Sequence, residues 1–218
     1  MENISWFGHS SFSFVDKNGN RVYYVDPFDL RVKKLEEADI IFITHAHPDH
    51  FSPSDLKKIM KNDTVVVATA DVLEKMDIEN ERKIAVLPNN QYAVKGFAFS
   101  TIPAYNNHPD KLNFHPKNNH WVGYIFNING KKVYHAGDTD FIEEMRNLKT
   151  MKLDVAMLPM GGKYTMDATE AAAAANVICA KITIPMHYRR LNQNYEAVEE
   201  KFKALVKNSK TVILEELG

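Results

Sequence analysis

The chain has almost no cysteine: Cys179 is the single one in 218 residues. That excludes an intrachain disulfide framework and a thiolate metal cluster. Within "ANVICAKI" it reads as a small buried apolar side chain and not as a nucleophile. Excess charge is missing as well. Lys and Arg total 27 against 28 Asp and Glu, a formal net charge of -1, which gives no global attraction to nucleic acid or to an anionic membrane. Long apolar runs are also lacking, and "MENISWFGHSSF" has neither the basic flank nor the apolar core of a secretory signal. A cytoplasmic protein with no membrane partner is expected. No Pro/Gly/Ser-rich linker, repeat or composition shift divides the sequence, and the simple stretch "EAAAAANVICA" reads as a packed helix. At 44% hydrophobic residues the chain can bury a core, so one domain over residues 1–218 is expected.

What is present is an alternation of element signals. Strands "ISWFG" and "SSFSFV", the turn "DKNGN" and the strand "RVYYVDP" come first. A short buried strand, "ADIIFIT", leads through a histidine-rich turn into the helix "SPSDLKKIMKN", with Ser52 or Ser54 as cap and Leu56, Ile59 and Met60 as apolar positions. The strand "TVVVAT", the short helix "ADVLEKM" and the strands "KIAVL", "QYAV" and "GFAFSTIPA" follow. After a polar loop the pattern restarts with the hairpin "WVGYIFNINGKKVYHAG", built on an Asn-Gly turn. The helix "DFIEEMRNL", strand "LDVAMLPM", helix "DATEAAAAANVICA", strand "KITIPMH", helix "NYEAVEEKFKALVKN" and strand "TVILEEL" complete it. Two strand-rich halves, each finishing in strand and helix units, predict an α+β arrangement of two packed sheets with helices outside.

The stretch "ITHAHPDHFSP" places His45, His47, Asp49 and His50 within six consecutive positions. One histidine after a strand would be an ordinary polar loop residue. A cluster is different: alternating His45 and His47 can point the same way, and Asp49 and His50 add a carboxylate and a third imidazole as the chain turns into a helix. Nitrogen and oxygen donors of this kind suit zinc, manganese or iron, and the missing thiolates argue for an open, reactive site.

At these residues the sequence resembles the metallo-β-lactamase-fold hydrolases. "THAHPDH" is similar to their His-x-His-x-Asp-His signature, "YVDPF" to their first motif, "YHAGDTD" to the fourth and "IPMHY" to the fifth. "WFGHSSF" and "PMGGKYTMDATEAA" narrow the resemblance to the branch containing L-ascorbate-6-phosphate lactonase. The resemblance implies an αββα sandwich and one or two divalent transition-metal ions, with zinc leading and manganese or iron as alternatives. It implies His45 and His47 with a third ligand at one ion, Asp49, His50 and His187 at the other, and Asp138 between them. Asp26 and His9 are expected to support the ligands from behind. Asp49 and His50 are the catalytic candidates, with a metal-activated hydroxide as nucleophile and a metal-bound water or Asp49 handling the proton.

Each of these residues also has a plainer reading. Asp26 could cap a turn before Pro27, Asp138 could cap the helix "FIEEM", with Thr139 or Asp140 as competitors, and His187 could be a satisfied core histidine. His135 reads equally as structural, and His120 and His108 as surface residues. The sequence departs from the superfamily where a third-motif histidine is expected, because Asn106 stands there. Asparagine offers a weak neutral oxygen, so His115 in "FHPK" is expected to swing back as ligand or substrate contact, with Asn106 or water as the alternative. For the substrate, a small anionic ester or lactone is expected. Asn106, Lys117, Lys163, Tyr164, the exposed backbone of "PMGGKYTMD" and the pair Arg189 and Arg190 are candidate contacts, each of which could instead be an ordinary turn or solvated residue. A phosphodiesterase acting on nucleic acid and a catalytically idle metal-binding module are the competing functions. No basic stripe favours the former. A homo-oligomer stays open.

Overall fold

The computed structural model describes residues 4–16 and 21–218, so Lys17–Asn20 of the expected "DKNGN" turn lie outside the described residues. The chain divides into two compact units, Met1–Leu87 with Glu215–Gly218, and Pro88–Leu214.

The first unit carries a six-stranded sheet in strict chain order. Strands β1 (Ile4–Trp6), β2 (Phe12–Asp16) and β3 (Arg21–Val25) pair antiparallel, and β4 (Ala38–Ile43), β5 (Met60–Ala68) and β6 (Lys83–Ala85) continue from β3 in parallel. Parallel neighbours need a crossover. Helix α1 (Pro53–Ile59) supplies it between β4 and β5, and α2 (Ala70–Leu73) between β5 and β6. Ser52, not Ser54, is the α1 cap, accepting from the Asp55 N–H, and Pro53 follows at the first position, where its missing donor matters least. Leu56 and Ile59 pack with Ile41, Ile43, Val66 and Ala68 in one apolar cluster, while Ile40, Phe42 and Val67 on the opposite face of the strands are buried too. Burial on both faces explains why β4 reads as a continuous apolar run. Met60, expected in the helix, instead opens β5.

The second unit repeats the plan with a seven-stranded sheet, again in chain order. Antiparallel β7 (Gln91–Val94), β8 (Phe97–Pro103), β9 (Val122–Ile128) and β10 (Lys131–His135) are followed by parallel β11 (Val155–Pro159), β12 (Ile182–Met186) and β13 (Lys210–Thr211). The β9–β10 turn uses Asn129 and Gly130, both at positive φ (51° and 73°), as a two-residue hairpin turn requires. Helix α3 (Ala168–Ile178) is capped by Asp167, whose carboxylate accepts from the N–H groups of Thr169 and Glu170, and α4 (Tyr195–Leu205) precedes β13.

Three expectations are corrected. The segment after Asp140 forms a 3₁₀ helix, Glu143–Met151, instead of an α-helix; its buried Met145 and Leu148 are three apart, the spacing that eclipses side chains in a three-residue turn. "TVILEEL" is not one strand: only Thr211 joins the second sheet, and Glu216 makes a parallel bridge to Trp6 in the first unit. Cys179 is half-buried at the end of α3 with φ 54°, so it terminates a helix instead of filling a core.

Candidate metal centre

In each unit the ligand candidates leave the carboxyl ends of parallel strands, where α/β sheets place their ligands. In the first unit β3 ends at Asp26 and β4 runs into Thr44 and His45. Asp26 is fully buried with φ 46°, a conformation disfavoured for a side chain other than glycine and one that turns its carboxylate back toward the β4 end. Asp26 Oδ1 accepts from Thr44 N at 2.8 Å, and Oδ2 accepts from the Thr44 hydroxyl at 2.7 Å and from His50 Nδ1 at 2.7 Å.

Those bonds set the protons. The Thr44 hydroxyl donates to Asp26, so at its 2.9 Å contact with His45 Nδ1 it accepts, and Nδ1 holds the hydrogen. His50 likewise holds its proton on Nδ1 against the carboxylate. Both Nε2 atoms are therefore lone-pair donors. His45 Nε2 lies 3.0 Å from His47 Nδ1, and His50 Nε2 lies 4.0 Å from Asp49 Oδ2. Asp49 Oδ2 in turn meets His9 Nε2 at 2.9 Å. His9 is buried, with φ 50°, beside Gly8 at φ 92°, so a strained turn delivers it to the carboxylate. The ligand atoms of His9, Asp49 and His50 lie within 4.8 Å of one another.

The second unit gathers its own set. Asp138 follows β10, and His187 follows β12 with φ 57°. Asp138 Oδ2 stands 2.9 Å from His187 Nε2 and 3.2 Å from His115 Nε2. All three side chains are at least 97% buried, with 3%, 1% and 1% exposed. Two ligands of one zinc ion at about 2.1 Å each sit roughly 3 to 3.5 Å apart, so this spacing fits a shared ion. Imidazole and carboxylate donors with no thiolate fit zinc, manganese or iron equally well.

Asn106 is 2% exposed, and both ends of its amide are engaged: Oδ1 accepts from His115 Nδ1 at 2.7 Å, and Nδ2 donates to Tyr164 O at 3.0 Å. Both polar ends of its side chain thus meet protein groups, His115 at one and Tyr164 at the other. Lys117 donates to the Tyr105 hydroxyl and to Glu144, and the Tyr105 bond holds its ammonium above the ordinary lysine range. Arg189 is engaged by Glu199 and Leu214 O. In the glycine-containing loop, Gly161 N donates to Thr165 Oγ1 and Gly162 N to Met166 O, so these two N–H groups are used within the loop itself. Tyr164 packs edge-on against Phe114, with Lys163 over its ring. His135 is buried and accepts from Gly137 N, whereas His108 and His120 are exposed.

Two supporting residues escaped sequence reasoning. Thr44 sits directly before His45, and its adjacency to the cluster was the available signal. Asp140, fully buried, accepts from Asn107 N at 2.9 Å and His108 N at 3.0 Å and so ties the loop after Asn106 to the segment after Asp138; the repeated acid in "DTD" was the signal there.

Residues 3–187 match a family model described as a beta-lactamase superfamily domain. A UPF0173 metal-dependent hydrolase from Thermoplasma acidophilum is 34% identical, with 98% of this chain and 96% of the relative covered. The chain belongs to the metallo-β-lactamase superfamily, in its UPF0173 metal-dependent hydrolase family. A UPF0173 relative from Thermus thermophilus is 30% identical over 86% of this chain and 84% of its own. A protein of known crystal structure from Parabacteroides distasonis is 30% identical and superimposes with a TM-score of 0.85, covering 99% of this chain and 93% of that one. Igni18, a metallo hydrolase from Ignicoccus hospitalis, shares the fold at a TM-score of 0.75 and 24% identity, over 98% of this chain and 95% of its own. The metallo-β-lactamase fold expected from the sequence is thus the fold of this family. Among the described residues no helix is long and apolar enough to cross a membrane.

Proposed function

We propose that this metal-dependent hydrolase cleaves a small anionic ester or lactone, phosphorylated ones included, in the manner of the L-ascorbate-6-phosphate lactonase-like branch. In this reading His45, His47, Asp49, His50, His115, Asp138 and His187 hold two divalent ions, with zinc the leading candidate. The observation that carries it is Asp138 Oδ2 lying within 3.2 Å of Nε2 on both His115 and His187, a carboxylate and two imidazoles spaced as ligands. When bound, such ions acidify water and polarise an ester or lactone carbonyl. The side chains of the chain do the remainder. Asp26 keeps His50 and, through Thr44, His45 in single tautomers. Asp49, with 39% of its side chain accessible and its Oδ2 hydrogen-bonded to His9, takes up the proton released as water adds to the carbonyl. With Lys117 and Arg189 engaged elsewhere, Lys163, exposed and lying over the Tyr164 ring, is the leading candidate for anion preference. A cytoplasmic setting and a small-molecule substrate belong to the same proposal, and the net charge of -1 supports the second.

A panel of chromogenic esters, lactones, phosphomonoesters and phosphodiesters, run with zinc, manganese and iron, tests it. Turnover of esters or lactones, with Lys163→Ala raising KM for anionic but not neutral substrates, is the expected result. Turnover confined to phosphodiesters would replace the ester reading, and no turnover with any metal would leave a metal-binding module.

A further inference from the structure

The segment from Gly161 to Met166 braces both histidines that face Asp138. Gly161 fits against His187 because it has no side chain: a Cβ there would lie 2.5 Å from the His187 carbonyl oxygen and 3.2 Å from its Nδ1. Further along, Tyr164 O accepts from Asn106 Nδ2 at 3.0 Å, and Thr165 O accepts from Lys111 Nζ at 2.6 Å. The Tyr164 ring meets Phe114 edge-on with centroids 4.8 Å apart. The segment is therefore tied to the loop that carries His115 at three places.

The polarity of these bonds is decided at one end. A carbonyl oxygen can only accept, so the Asn106 amide nitrogen must face Tyr164, and Oδ1 must face away from it. Oδ1 then meets His115 Nδ1 at 2.7 Å, a contact that is a hydrogen bond only with the proton on Nδ1. Main-chain pairing adds to the hold, since Asn106 N donates to His115 O at 2.9 Å. At 2% and 1% exposure respectively, Asn106 and His115 are shielded from water that could otherwise replace either partner.

We infer that Asn106 is a positioning residue: clamped by the Tyr164 carbonyl, it holds His115 in the Nδ1–H tautomer and presents Nε2 toward Asp138 as a metal donor. The inference rests on the reading of His115 as a ligand. It also gives the glycine-containing segment a role, because the piece of chain that fits against His187 is the same piece that sets the proton on His115.

The test is nitrogen-15 NMR of histidine-labelled protein, stripped with chelator and then reloaded with zinc, alongside zinc affinity by chelator competition. Wild-type His115 should carry its proton on Nδ1 in the stripped protein and coordinate zinc through Nε2. Asn106→Leu should shift the proton to Nε2 and weaken zinc binding by about 10- to 100-fold. Asn106→Asp, whose carboxylate also accepts from Nδ1–H but cannot donate to Tyr164 O, should restore the tautomer and part of the affinity; a merely structural role for Asn106 predicts no such rescue of the tautomer. An Nε2 proton on wild-type His115, or zinc coordinated through Nδ1, overturns the inference without any variant having to fold. A Leu variant with the wild-type tautomer overturns it too. His115→Ala separates the two levels, since unchanged zinc affinity there removes the ligand reading itself, whatever the tautomer.

Discussion

At the scale of single residues, the side chains behind the ligands are as constrained as the ligands. Asp26 satisfies three donors with two oxygens, and Oδ2 alone takes the Thr44 hydroxyl and His50 Nδ1. Asp26→Asn places an amide group where one of those acceptors stood. We expect a loss of stability of about 1–3 kcal/mol in chemical denaturation and a fall in metal affinity of about 10- to 100-fold in chelator competition. Retention of wild-type affinity would remove Asp26 from the machinery. His135→Ala is the contrasting case, buried and accepting from Gly137 N two residues on, and should lower stability while leaving metal content unchanged. Residue identity was legible in the sequence for the compact "HAHPDH" cluster, because neighbours in a short turn cannot lie far apart. Asn106 was misread for a physical reason. Its role depends on which end of a nearly symmetric amide faces which partner, and the partners lie 9 and 58 positions away along the chain.

At the scale of elements, caps and close approaches decide what the segments do. Asp55, in the first turn of α1, reaches back to the N–H groups of Asp29 and Leu30 and to Ser52 and Lys58. Burial alone would raise its carboxyl, but the bonds from Lys58, Ser52 and the two backbone groups outweigh that and hold it below the usual carboxylate range. A depressed folded value means stability that is complete above the unfolded value, about 3.9 for Asp, and is lost as pH falls through the folded value. The stability gap between wild type and Asp55→Asn in urea melts should therefore stay constant down to about pH 5 and shrink on further acidification. A gap that widened in acid would contradict the sign. Gly161→Ala is the second expectation at this scale: a Cβ 2.5 Å from a backbone oxygen forces the loop off His187, lowering stability by about 1–3 kcal/mol together with metal affinity, read by thermal melting and chelator competition. The start of α1 was legible through the serines before it, of which Ser52 is the cap, because a cap acts within a few residues. The 3₁₀ winding of Glu143–Met151 was not, because the same apolar spacing serves both helix types.

At the scale of the whole molecule, the presence of two sheets was legible from strand and turn signals, while their strand order, in which each pairing joins consecutive strands, is a finding of the structure. The parallel halves mattered most for function, because parallel strands release Asp26 and His45 at one edge of their sheet, and Asp138 and His187 at one edge of theirs. Seven donors support more than one ion, so metal analysis of saturated, dialysed protein should find more than one equivalent; a ceiling of one would end the dinuclear reading. Binding to the folded state alone adds about 2.7 kcal/mol at a free metal concentration of 100 times Kd. At about 2–4 °C per kcal/mol for a chain of this size, chelation should lower the melting temperature on the order of 5–10 °C per ion.

Sheets whose strands pair only with their sequence neighbours also have a timetable. Every ladder in the first sheet is available once the chain has reached Ala85, and each closes a short loop, so little entropy opposes it and early formation during synthesis is favoured. One contact escapes that schedule. The bridge between Trp6 and Glu216, with Leu217 N donating to Trp6 O at 2.8 Å, joins positions separated by nearly the full length of the chain, and it covers the free edge of β1. It can form only once the chain has reached Glu216. Glu216 and Leu217 thus close a strand made some two hundred residues earlier, and until they arrive β1 is an open template for another chain's backbone.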